Sequence, residues 1–122
     1  MWIMTPFGIL MPSIRPDHAI KRGDTRKLQI RVRDRRALVY LRDRYMGDDE
    51  LSKIVATPKM DYNFRAYCEH DDFARAVARM IIDIDYEKFK PESVSDDLHK
   101  LYNEIWFVVF EHYDPPRKRR RK

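Results

Sequence analysis

Cys68, Glu69 and His70 are the residues of this chain whose types come closest to a nucleophile set. A thiol beside an imidazole can be activated for covalent catalysis, and on an extended strand residues 68 and 70 share a face. No nucleophile elbow, glycine-rich loop or third orienting group accompanies them. Cysteine is also among the most buried residue types, so Cys68 reads as core. Asp83, Asp85 and Glu87 alternate at the end of a helical stretch. Such carboxylates suit Mg²⁺ in phosphoryl chemistry, or else a solvated turn, or pairing with Arg35, Arg36 and Arg42. His18, His70, His99 and His112 have no metal-ligand spacing, and a single cysteine excludes the thiolate zinc classes. The sequence thus predicts no catalytic set, no metal and no cofactor, and a protein that is not an enzyme.

Binding chemistry is better represented. The chain ends in six consecutive cations, Arg117, Lys118, Arg119, Arg120, Arg121 and Lys122. Cations so close together repel and stay solvated, so residues 115–122 are expected to form a disordered basic tail. Such a tail suits phosphate backbones without reading sequence, with binding that falls steeply with salt; an acidic membrane surface or an acidic protein are its other candidate partners. The formal net charge of +5 is unevenly placed. Residues 15–44 carry 11 basic and 4 acidic side chains, residues 45–116 carry 8 and 16, and without the tail the chain stands at −1.

The elements that position these residues follow from periodicity. Met1–Met11 reads as one strand, and Lys27–Arg33 as a second whose Leu28, Ile30 and Val32 alternate with Gln29, Arg31 and Arg33. Asp34 suits the cap of a helix over Arg35–Met46. Lys53–Thr57 and Asp61–His70 read as an antiparallel pair of strands, and Asp71–Asp83 as an amphipathic helix. Asp85–Val94 is a linker. A last helix is expected from the cap Ser95 to Tyr113, stopped by Pro115 and Pro116. The order predicts one α+β domain over residues 1–114, with a four-stranded antiparallel sheet in ββαββαα order. That is a permuted ferredoxin-like pattern with a third helix at its C-terminal end.

Two surfaces stand out in that arrangement. Arg31, Arg33, Arg65 and Tyr67 alternate outward from the core positions, a basic face with an aromatic that suits nucleic acid; the alternative is that these arginines pair with acidic neighbours. On the last helix, Trp106, Val108 and Phe110 widen the apolar face to half the circumference or more, beyond what one packing surface needs. Phe107 falls among Lys100, Glu104 and Glu111. Trp106, Phe107 and Phe110 are therefore the candidate interface for a host protein or a second copy.

The composition, 43% apolar and 37% charged, predicts a folded core. The longest apolar run after residue 45, Ile105 to Phe110, is far short of the about 20 residues of a membrane span. The apolar start has no basic flank or cleavage site, and a lone cysteine suits a reducing compartment, so the expectation is a soluble cytoplasmic protein.

Several stretches resemble a family of small, functionally uncharacterised bacterial and phage proteins. They are Met1-Trp2-Ile3-Met4-Thr5 before Gly8; Arg31-Val32-Arg33 leading to Leu38 and Leu41; Thr57-Pro58 before Asp61-Tyr62 and Arg65; Ile84-Asp85-Tyr86 before Phe89-Lys90; and Tyr102, Glu104 and Trp106. The similarity covers nearly all of residues 1–113, and the chain departs from it at Met11-Pro12-Ser13 and in the basic tail. The resemblance implies no activity or site residue. It implies that the Asp-Tyr pairs belong to the common design of the fold. The overall expectation is a small non-catalytic accessory protein, phage or bacterial, whose basic tail contacts nucleic acid. The alternative is a protein-interaction module or homodimer working through the aromatic helix.

Overall fold

A computed structural model of the chain describes residues 1–16, 25–87 and 97–113. The described strands are β1 (Ile3–Thr5), β2 (Gly8–Ile14), β3 (Leu28–Val32), β4 (Val55–Ala56) and β5 (Phe64–Cys68). The helices are α1 (Arg35–Leu41), which runs on into a π-helical turn over Arg42–Met46, then α2 (His70–Ile82) and α3 (Asp97–Tyr113). The strands form one open antiparallel sheet in the order β1-β2-β3-β5-β4. The class is α+β, as the alternation of elements predicts.

The sheet has five strands where four were expected. The apolar start is not one strand over Met1–Met11 but a hairpin, because the chain turns back at Pro6 and Phe7. The turn is held by Thr5, whose hydroxyl donates to the Gly8 carbonyl at 2.6 Å and accepts from the Phe7 amide at 3.2 Å. Gly8 has φ +148°, and a Cβ built there would lie 2.8 Å from the Ala37 Cβ. Only glycine serves both that backbone and that close approach of α1.

The alternation of the third strand holds in the sheet. Leu28, Ile30 and Val32 stand opposite Cys68, Ala66 and Phe64, and on the other face Gln29 and Arg31 stand opposite Tyr67 and Arg65. Helix α1 is capped by Asp34, whose carboxylate accepts from the Arg36 amide at 3.0 Å and pairs with the Arg36 side chain at 2.7 Å. That pairing holds the Asp34 carboxyl below its ordinary pKa. Leu38, Leu41 and Phe73 carry the two helices onto the face of Leu10, Ile30, Val32 and Cys68, all within one buried cluster. Two helices on one face leave the other free of helical cover in the expected arrangement, yet Met11, Gln29, Arg65 and Tyr67 on that face are buried. Among the described residues, no helix is long and apolar enough to cross a membrane.

Candidate interaction surface on the last helix

Helix α3 is joined to the body at its beginning. Leu98 and Tyr102 are buried there, and the Tyr102 hydroxyl donates to the Thr5 carbonyl at 2.6 Å. Burial raises the Tyr102 phenol above its ordinary pKa, an effect the Gly8 amide only partly offsets, so the group is a neutral donor. Leu98, Tyr102, Ile105, Val109 and Tyr113 are spaced four, three, four and four residues apart and so share one helical stripe. Along this stripe the exposure climbs from 9% at Leu98 and 5% at Tyr102 to 49% at Val109 and 81% at Tyr113. The face that docks at the start of the helix runs off the edge of the body before its end.

The overhanging half is apolar on other sides too. Trp106, Phe107 and Val108 are 57%, 59% and 69% exposed. The Trp106 ring stacks on Phe110 at 5.0 Å with 11° between planes, and meets Phe107 edge-on at 5.2 Å. These rings order one another, but that contact leaves more than half of Trp106 and Phe107 in water. Aromatic side chains carry about 150–250 Å² each. The exposed parts of Trp106, Phe107 and Tyr113 alone therefore approach the largest apolar patch of a typical monomer, about 300–600 Å².

The structure brings together the three interface residues chosen from the sequence, Trp106, Phe107 and Phe110, with Phe110 partly covered. Sequence reading missed Val109 and Tyr113, which it assigned to the packing face. Length was the available signal. Seventeen helical residues span roughly 26 Å, whereas a five-residue strand spans roughly 17 Å.

The basic sheet face is assembled differently from expectation. Arg33 is exposed and Arg31 half-buried, and their guanidinium carbons lie 5.4 Å and 4.5 Å from the centre of the Tyr62 ring. Arg31 also donates to the Met11 carbonyl at 3.2 Å. Arg65 and Tyr67 are buried. Arg65 donates to the Gln29 side-chain oxygen at 3.1 Å, and the Gln29 amide donates in turn to the Ser13 hydroxyl at 2.9 Å. An Arg65 so engaged beneath the surface is not presented to a phosphate. Nor do the contacts just named pair these arginines with carboxylates, as the alternative reading had it. The residues of the basic tail, Arg117–Lys122, lie outside the described residues.

The other candidates separate. Cys68 ends β5 in the core, where burial pushes its thiol up to about 12, while His70 begins α2 and is exposed. A strand–helix junction divides the pair, so no thiolate–imidazole couple forms. Asp83 accepts from the Tyr45 hydroxyl at 3.0 Å rather than from an arginine, Arg36 pairs with Asp34, and Arg42 reaches Asp48 at 3.5 Å. Asp83 and Asp85 border a cleft of about 80 Å³ with Phe7, Tyr40, Tyr45 and Tyr86. Among the described residues, no group of three or more histidine, cysteine or carboxylate side chains is arranged to hold a metal ion. Comparison with family models, curated proteins and solved structures found no match for the chain.

Proposed function

We propose that this chain is a small binding protein, an accessory rather than a catalyst, and that the overhanging half of α3 is its working surface. The observation that carries this reading is the uncovered aromatic and aliphatic end of a helix whose beginning is firmly docked. A helix apolar on most sides is one that some surface covers. Membership of the small bacterial and phage family belongs to this proposal, as does the permuted ferredoxin-like architecture. The latter is supported by the strand order β2-β3-β5-β4 with α1 and α2 on one face.

Trp106 supplies the test. In a Trp2→Phe background its emission reports the helix alone. The dilute chain is expected to emit at the long wavelength of solvated indole. A blue shift is expected with one of three titrants: the chain itself at high concentration, nucleic acid, or lipid vesicles. A Trp106 already shielded in the dilute chain, or unmoved by all three, would refute the reading.

A second reading assigns the basic tail to nucleic acid. Its support is the charge of Arg117–Lys122, with Arg33 the exposed member of the sheet set. Deleting residues 117–122 should then abolish salt-sensitive binding to DNA or RNA. Equal binding by the truncated chain would end that reading.

A further inference from the structure

We infer that the face of the sheet turned away from α1 and α2 is a docking site for a single strand of nucleic acid, held by Arg31 and Arg33 on the Tyr62 ring. The inference rests on the reading of nucleic acid as a partner and places a contact for it inside the fold, independent of the residues that follow α3.

Three observations converge on it. First, the face is basic without compensation. Arg15, Arg31, Arg33 and Arg65 alternate onto it, and none of the positions of β2, β3 and β5 that turn the same way is acidic. Among the described residues, no carboxylate lies within ion-pair distance of these four guanidinium groups. Arg31 and Arg65 also stand directly opposite each other across β3 and β5, a pairing of like charges that destabilises a sheet. Arg65 is 7% exposed and meets only neutral acceptors, the Gln29 oxygen at 3.1 Å and the Thr57 hydroxyl at 3.4 Å. A cation enclosed without counter-charge is costly, and an anion held above it by its neighbours offsets that cost.

Second, the accessible cations are built into a platform. The guanidinium carbons of Arg31 and Arg33 lie 4.5 Å and 5.4 Å from the centre of the Tyr62 ring, and the Met11 carbonyl holds Arg31 further. A guanidinium fixed in this way loses little freedom on binding and keeps its remaining N–H groups for a ligand. Phosphate oxygens accept from such N–H groups, and unpaired bases stack on aromatic rings and guanidinium planes. Third, the cations form a row. The Arg15 amide donates to the Lys27 carbonyl at 2.9 Å, which sets Arg15 beside the start of β3. The charges of Arg65 and Arg15 both reach the Tyr67 hydroxyl, opposing the rise that burial gives its pKa. From the level of Lys27 to Arg33 the strand covers roughly 20 Å. A row of that length exceeds a single phosphate and suits an extended polyanion that releases a counterion at each phosphate neutralised.

Other anions satisfy only part of this surface. A free phosphate occupies one end of the row. An acidic peptide neutralises the row but brings no bases to lie on the guanidinium planes. A duplex offers phosphates with its bases already stacked inside.

The test titrates a labelled oligothymidine with the full chain over a range of salt. Arg33→Gln, at an exposed position, should lower the slope of log affinity against log salt by about 0.7, the share of one phosphate on a single strand. Arg33→Lys keeps the charge and loses the plane, so it should keep the slope and weaken binding about fivefold or more. Arg75→Gln, which removes a cation paired with Asp72 and Glu50 on α2, should change neither quantity. In NMR spectra the side-chain Nε–H signals of Arg31 and Arg33 should move as oligothymidine is added, and that of Arg75 should stay. A full salt slope in Arg33→Gln, or unmoved Arg31 and Arg33 signals, overturns the proposal while leaving nucleic acid as a partner of the chain. Equal affinity for polyglutamate, or an Arg33→Lys chain that binds as tightly as the parent, overturns nucleic acid as the occupant of this face. A full chain that binds no oligothymidine defeats both the proposal and the reading on which it rests.

Discussion

The Tyr102 hydroxyl and the Thr5 carbonyl are 97 residues apart in sequence and 2.6 Å apart in space. Through this bond the last helix is fastened to the first hairpin. It lies within a turn of the point at which α3 leaves the body, so it decides how much of the helix is held and how much overhangs.

Replacing Tyr102 by phenylalanine leaves the buried Thr5 carbonyl without this donor. The expected cost is about 1–3 kcal/mol. It should appear in hydrogen exchange as faster opening at the start of α3, with β3 and β5 still protected. Unchanged exchange in α3 would show that the bond does not anchor it.

Gly8→Ala places a methyl group 2.8 Å from the Ala37 Cβ at a backbone φ of +148°. Clash and strain act together, and a loss of about 2–4 kcal/mol is expected in denaturant unfolding. The double variant Gly8→Ala, Ala37→Gly relieves the clash but not the strain, and should recover only part of the loss.

Arg65 and Arg33 look alike in sequence and differ in the sheet. Removing the guanidinium in Arg65→Met strands the Gln29 oxygen in a buried site, with an expected cost of about 1–3 kcal/mol. Arg33→Ala, at an exposed position, should change stability by less than about 0.5 kcal/mol. Equal small effects at both positions would contradict the buried Arg65–Gln29 contact.

Alkaline pH should destabilise the fold, and the sign follows from the buried thiol. The Cys68 thiol is raised from 9.0 to about 12, chiefly by burial, so the folded form keeps its proton while the unfolded chain loses it. Between those values the unfolded state binds fewer protons, and stability falls as pH rises. It is fully present below about pH 9 and is lost progressively above that. Tyr67 and Tyr102, both raised above 10.0 by burial, add to the fall at higher pH. Urea midpoints measured from about pH 8 to 11 should decline, and Cys68→Ala should flatten the first part of that decline. Native Cys68 should also resist alkylating reagents that label it once the chain is unfolded.

Local patterns decided a good deal. The alternation of Leu28, Ile30 and Val32 marked a strand with one buried face, because side chains on a strand have period two. Asp34 was legible as a cap, because a short carboxylate before a helix meets free amides. The spacing of Phe73, Ala76 and Val77 marked the packed face of α2. Cys68 was legible as core from its residue type.

What local patterns could not carry was which apolar and which charged side chains find cover. The hairpin at Pro6 and Phe7 is hidden in a run of apolar residues, and it exists because Thr5, Gly8 and Ala37 meet across the fold. Arg65 alternates outward like Arg31, yet it is buried on Gln29, because burial depends on everything above a sheet face and not on the strand alone. Val109 and Tyr113 continue the stripe of Leu98 and Tyr102, and periodicity assigns all four to packing. The tertiary structure separates them, because the body that covers the stripe is shorter than the helix. The sequence alone determined that α3 is apolar and that six cations follow it. That its second half stands clear of the body was decided only by where the fold ends.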